Sequence, residues 1–213
     1  MTNEITIKLT REEIDDIFAG RDSKKWEKVL GVYVFLRENL YQADAADISA
    51  DYQKKFNYFY QVRRNEEWRK KFYSLFSRHS KEGNADFAIV LNELFSMTGM
   101  VEASFASKFV ATIDPNLPLI DRHVLTYIDQ ELPTSQRSPA GRIATIVDLY
   151  ENMTDAFNTF LTTSTGRYLI ARFSAEHTDQ KISPMKMLDF VLWQSGGKKD
   201  RPKNVIDKTP KKK

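Results

Sequence analysis

Cysteine is absent from this chain of 213 residues. Its absence excludes a disulfide scaffold, a thiolate-held iron–sulfur cluster and a Cys-ligated zinc, and it fits a reducing compartment. Histidine is scarce: His79, His123 and His177 are spread too widely in sequence to suggest a zinc site. No apolar run approaches the roughly 20 residues needed to span a bilayer. The opening Met-Thr-Asn-Glu-Ile lacks the basic-then-apolar pattern of a secretory leader, so the expected location is the cytoplasm. A Gly-x-Ser-x-Gly nucleophile elbow and a Gly-rich phosphate loop are both missing. No internal repeat of roughly 20–50 residues is visible.

What is present is a modest charge, unevenly placed. The net charge is +3. From Lys198 to Lys213, eight basic residues stand against Asp200 and Asp207, which gives +6 and leaves −3 for the rest. This tail has almost no apolar side chains, so it is expected to be disordered. It either adds non-specific attraction to phosphate or simply solubilises the chain. Any nucleic-acid contact on the folded part must be a local patch. The hydrophobic content of 41% suffices for a core, and one globular domain over 1–197 is expected.

Helical periodicity runs through the chain, and no segment alternates with the period of a strand. Thr10-Arg-Glu-Glu13 is a capping box opening a short helix that Gly20 ends. Asp22 caps a longer helix carrying Trp26, Val29, Leu30, Tyr33 and Leu36. Asp51 opens another, broken at Gln61-Val-Arg-Arg-Asn65. Asn65 caps the next and Asp86 the one after. Asp114-Pro-Asn-Leu-Pro118 stops a helix, since proline cannot continue one, and Asp121 begins a new one. After a linker from Pro133 to Pro139, helices are expected over about 140–163 and 166–177. Ser183-Pro184 starts the last helix, which Gly196-Gly197 should end. The fold class is all-α. Aromatic residues are 12% of the chain, and their helical spacing marks most of them as core.

The informative stretch is Thr98 to Ile128: a turn with Gly99, a helix, a proline-containing loop, two apolar residues, then Ile120-Asp121-Arg122-His123-Val124 opening a helix. Taken alone, Asp121 is an N-cap. In its ordered context the stretch resembles the core of the helix-hairpin-helix DNA glycosylases, in which a Gly-containing hairpin leads through a helix and loop to a Val-Asp-x-His-Val segment. The match covers about 30 residues. With a weaker extension upstream through Phe56–Asn65 it covers roughly 75, within a glycosylase-like core of about 51–131 followed by C-terminal helices over 140–195.

The resemblance implies two helical lobes with a cleft, double-stranded DNA as partner, a monomer, and excision of a flipped base. Asp121 is the implied catalytic carboxylate. Breaking an N-glycosidic bond builds positive charge on the sugar, which a fixed carboxylate stabilises, and the same group can take a proton from attacking water. Gly99 belongs to the turn whose amides bind a DNA phosphate, often through a cation; no other cofactor is implied. The family's turn usually has two glycines, and here there is one. The lysine of strand-cutting members would fall near Ala103 or Ser104, where there is none. Lys108 lies one turn later on the face of Ser104 and is either an amine within reach or a solvated helix lysine. The resemblance therefore implies a monofunctional enzyme in which water attacks and an abasic site is left. Gln61, Arg63, Arg64, Asn65, Ser104 and Arg122 are candidates for DNA contact. Tyr58, Tyr60 and Trp68 are candidates for stacking on the base, or else core. His123 matches a family histidine with a packing role.

The target base is not legible. Damaged purines are one class. Hypermodified bases such as glucosylated hydroxymethylcytosine of phage genomes are another, which would suit a defence role. The alternative is a non-catalytic nucleic-acid-binding or interaction protein on the same fold, favoured by the single glycine and the missing lysine.

Overall fold

The computed structural model describes residues 4–40, 48–83, 85–133, 138–177 and 181–199, the side chains of 198 and 199 excepted. The expected basic tail beyond 199 and most of the 133–139 linker lie outside the described residues. Among the described residues every regular element is a helix. In chain order these are α1 (Arg11–Ala19), α2 (Ser23–Glu38), α3 (Ala50–Phe59), α4 (Glu66–Glu82), α5 (Phe87–Thr98), α6 (Ala103–Ile113), α7 (Arg122–Tyr127), α8 (Pro139–Thr162), α9 (Ser164–Glu176) and α10 (Pro184–Lys199).

Side-chain caps explain where most of them start. The Thr10–Glu13 capping box forms in both directions, at 3.1 and 2.9 Å. Asp22, Asn65 and Asp86 each accept a backbone N–H three residues on, satisfying donors that a helix end leaves orphaned. Two expectations shift. The third helix is capped by Ser49, whose hydroxyl accepts from Tyr52 N–H at 3.2 Å, so Asp51 lies inside the first turn rather than before it. The last helix does not end at Gly196-Gly197 but runs through both to Lys199. A β-carbon on Gly196 would lie 1.8 Å from the carbonyl oxygen of His123. Glycine stands there because the α10 backbone presses on α7, not because the helix stops.

One continuous cluster of buried side chains runs from Ile5 to Leu192. Its densest part is aromatic. Phe72 packs with Phe56, Phe76 and Phe109 at centroid separations of 5.6–6.1 Å, each such pair worth about 0.5–1.5 kcal/mol beyond area burial. Around this core, polar side chains tie backbone ends together. Arg37 on α2 donates to the carbonyls of Thr112 and Ile113 at the end of α6, at 2.7 and 3.0 Å.

The loop from Asp114 to Ile120 is pinned from four sides. Ser183 donates to Pro115 O (2.6 Å) and Tyr150 to Pro118 O (3.0 Å). Ile120 N–H donates to Ser107 Oγ (2.9 Å) and Leu119 N–H to Asp189 Oδ1 (3.3 Å). That loop delivers Asp121, so the carboxylate is positioned by α6, α8 and α10 together.

Candidate functional site

The first turn after α1, the end of α3 and one face each of α2 and α10 enclose a cleft of about 760 Å³. Trp26, Phe59, Phe190 and Trp193 supply its apolar walls, and Tyr58 and Gln61 stand beside them. Arg21, Asp22 and Lys25 border it near the start of α2, and four further charged residues face it from three other elements: Lys108 on α6, Asp121 before α7, and Lys186 and Asp189 on α10.

Asp121 is half-buried, in extended backbone, with Oδ1 accepting from His123 N–H at 2.9 Å. It is both the N-cap of α7 and a wall of the cleft. One carboxylate oxygen is thus used to hold the side chain in place. Lys108 is half-buried, its Nζ donating to Tyr60 O at 3.4 Å and lying 5.4 Å from the Phe105 ring. Burial pulls its ammonium below the ordinary lysine range, and the Asp121 charge opposes that shift. The reading of Lys108 as a solvated helix lysine does not hold: the helix face that carries it is turned toward the cleft. Tyr60 is buried and its hydroxyl accepts from Thr112 at 3.0 Å, with burial raising its pKa.

The sequence candidates separate into two groups. Tyr58, Tyr60, Gln61, Lys108 and Asp121 all line this cleft. Gln61 adopts φ +54°, a left-handed conformation uncommon for a residue with a side chain, and its amide donates to Tyr58 O at 2.8 Å. This turn presents Tyr58, 48% exposed, at the rim.

The remaining candidates lie elsewhere. Trp68 is corrected from base-stacking to core: it is 6% exposed, lies parallel to Phe72 at 5.1 Å and touches Phe105 at 4.7 Å. Arg64 is corrected from phosphate contact to an internal pair, since it binds buried Glu102 at 2.8 Å and sits 5.2 Å from the Phe105 ring. Asn65 spends its side-chain oxygen on capping α4. Arg63 and Arg122 are exposed, and Ser104 is half-buried in the first turn of α6; none of the three lines the cleft.

Gly99 ends α5 at φ +71°, as its place in a turn requires. Its N–H is taken by Phe95 O at 2.8 Å, and that of Met100 by Thr98 Oγ1 at 3.2 Å. Two amides of the turn expected to hold phosphate are therefore used within it.

The sequence reading missed Lys186 and Asp189. Both are buried, 5% and 2% exposed, and their charged ends stand 4.0 Å apart. Burial pushes the lysine down and the carboxyl up, each offset in part by the other. Their signal was present in the sequence as two charges three residues apart on an otherwise apolar segment, Met185 to Trp193. His123 lies edge-on to Trp193 at 5.4 Å, which fits its expected packing role.

Among the described residues no group of three or more His, Asp or Glu side chains is placed to hold a metal ion, and no helix is long and apolar enough to cross a membrane. No family model, curated protein or solved structure matches the chain.

Proposed function

We propose that this chain is a monofunctional DNA N-glycosylase, which flips a damaged or modified base out of double-stranded DNA and hydrolyses its bond to deoxyribose. One observation carries the reading. Asp121 shares a single aromatic-walled cleft with Lys108 and with the Tyr58–Gln61 corner, although these residues come from three separate segments. In this reading the cleft lies between an N-terminal helical lobe and the lobe holding the α5–α6 hairpin.

The chemistry follows from what the cleft offers. A base everted into it is covered by Trp26, Phe59 and Phe190, whose faces repay part of the unstacking cost of a few kcal/mol. As the C1′–N bond breaks, its electron pair leaves with the base and positive charge grows on the sugar. The Asp121 carboxylate offsets that charge. Water adds to C1′ and passes its proton to Asp121, while the departing base takes a proton from the solvent-connected site, leaving an abasic sugar. Lys108 orients the carboxylate through their mutual attraction. The volume, within the roughly 300–1,000 Å³ of small-molecule sites, leaves room for a base bearing a bulky substituent, which favours modified bases over plain ones.

A non-catalytic nucleic-acid-binding protein on the same fold is the second reading. It is favoured by the internal bonding of the Gly99 and Met100 amides, which weakens phosphate anchoring at the turn. An abasic-site assay on duplexes carrying damaged and hypermodified bases decides between them. Base release by the wild type and none by Asp121→Asn is the expected result; no release from any duplex leaves only the binding reading.

A further inference from the structure

The floor of the cleft holds a pair that the proposed reaction does not use. Lys186 and Asp189 stand about one turn apart on α10, and the 4.0 Å between Nζ and Oδ2 is beyond hydrogen-bond reach. Asp189 Oδ1 accepts from Leu119 N–H. Its Oδ2 is buried and has no hydrogen-bond partner among the described residues. A buried carboxylate oxygen without a donor costs about 1–3 kcal/mol or more, and native proteins rarely tolerate one. On the lysine side, Nζ lies 5.3–5.7 Å from the centroids of Tyr33, Phe59, Tyr60 and Phe190. Those rings attract the cation weakly but leave its donors short of acceptors. A pair of apolar residues would fill this space at less cost, so stability alone does not account for the two charges.

We infer that Lys186 and Asp189 form the deep anchor of the cleft for a planar heterocycle whose inner edge carries a hydrogen-bond donor beside an acceptor. The ligand's donor pairs with Asp189 Oδ2 and its acceptor takes a proton from Lys186. The edge fills the gap that keeps the two partners apart. An N–H next to a carbonyl, or an amino group next to a ring nitrogen, supplies that edge, and nucleobases carry one or the other. The choice of a nucleobase among such heterocycles rests on the glycosylase reading; the donor–acceptor requirement does not. Phe59 and Phe190, which border both the pair and the cleft, take the ring faces. Burial pulls Lys186 down and pushes Asp189 up, with Asp121, Lys108 and the Tyr33 and Tyr60 hydroxyls nearby. Neither charge is therefore well held by the protein alone, and a ligand edge satisfies both. An analogue that lacks the donor strands Oδ2, and an unmet buried polar group is the strongest source of discrimination a site can have.

The test uses the full chain and two free heterocycles. 1-Methyluracil offers an N–H flanked by carbonyls; 1,3-dimethyluracil keeps the ring and both carbonyls but carries a methyl group in place of that N–H. Binding is read from tryptophan fluorescence, since Trp26 and Trp193 line the cleft, and from the side-chain NMR signal of Lys186 in isotope-labelled protein, assigned by its loss in Lys186→Met. Saturable millimolar binding of 1-methyluracil, about tenfold tighter than its dimethyl analogue, is expected. In the Lys186→Met/Asp189→Leu double variant, which keeps the volume and removes both charges, the two ligands should bind alike. Equal binding to the wild type, no binding of either, or preference retained in the double variant overturns the anchor. Run beside the abasic-site assay, the measurement separates the two ideas. Preference without base release from any DNA supports the anchor and removes the enzyme; base release without preference does the reverse.

Discussion

The carbonyl oxygen of His123 occupies the place where a side chain on Gly196 would begin: a β-carbon there would stand 1.8 Å away. α10 and α7 are therefore in backbone contact, and this contact sets the position of Asp121 relative to Asp189. Gly196→Ala must push the helices apart. A loss of about 1–3 kcal/mol or more is expected, measured by chemical denaturation, with base release falling further than the loss of folded protein explains. Gly197→Ala is the control. Its β-carbon would meet nothing closer than 3.9 Å, so this change should be neutral or stabilise by about 0.5–1 kcal/mol through helix propensity. Equal effects of the two substitutions would contradict the close approach.

Asp121 does two things, and two substitutions separate them. Asparagine keeps an oxygen that can accept from His123 N–H, now at 2.9 Å, but removes the charge. Alanine removes both. Asp121→Ala should cost about 1 kcal/mol from the lost cap, while Asp121→Asn should leave the melting temperature nearly unchanged. Both should lower base release about 100-fold or more. Activity that survives in Asn and fails only in Ala would reduce Asp121 to a cap.

The helix starts of this fold were legible, and the site was legible in part, for reasons that differ residue by residue. Thr10, Asp22, Asn65, Asp86 and Ser183 announce their helices because a cap bonds only three residues away. Gly196 misled because a glycine near a helix end resembles a stop, and only the packing of α7 reveals its other purpose. Arg64 looked like a free loop cation because its partner, Glu102, is 38 positions away. Trp68 borders a polar break in the chain, yet the helix turns it onto Phe72 and Phe105. Asp121 was identified from a short ordered pattern. Lys186 and Asp189 were not, since whether two charges on an apolar helix meet solvent or a cleft depends on what packs above them.

The α10 pair should announce itself in stability. Lys186→Met alone leaves Asp189 buried without its cation and should cost about 3 kcal/mol, the low end for a broken buried pair, because the carboxyl can take up a proton. Adding Asp189→Leu should recover most of that and can exceed the wild type. The pH dependence has a defined sign. The folded Asp189 pKa is raised, so its contribution is complete below the ordinary carboxylate range, about pH 4, and is lost as pH rises through the raised value. The folded Lys186 pKa is lowered, so its contribution is complete above about pH 10 and is lost as pH falls through the lowered value. The advantage of the double variant over the wild type should therefore peak near neutrality and shrink toward both extremes in melting curves. A flat difference would mean that the two groups titrate normally.

Water rather than an amine attacks the sugar in the reading given above, and Lys108 tests it. Its ammonium is drawn below the ordinary range by burial and lies in the field of Asp121, which makes it the nearest competitor for C1′ from the α6 side. Borohydride should trap no covalent protein–DNA adduct during turnover. An adduct that disappears in Lys108→Gln would replace the proposed monofunctional reaction by a strand-cutting one.

Neighbouring arginines should part company when DNA binding is measured against salt. Arg63 is exposed, whereas Arg64 is held by Glu102 and two aromatic rings. If Arg63 touches phosphate, Arg63→Ala weakens binding to all sequences alike. It also reduces the slope of log affinity against log salt by about 1, with no change in melting temperature. Arg64→Ala should act the other way. It leaves the Glu102 carboxylate, 7% exposed, without its cation, which should cost about 1–2 kcal/mol once the partial exposure of the arginine is allowed for. Its salt slope should match the wild type, because the guanidinium is already committed within the protein. A salt slope that falls in Arg64→Ala and not in Arg63→Ala would place the phosphate contact on the wrong arginine and would require the Glu102 pair to open when DNA binds.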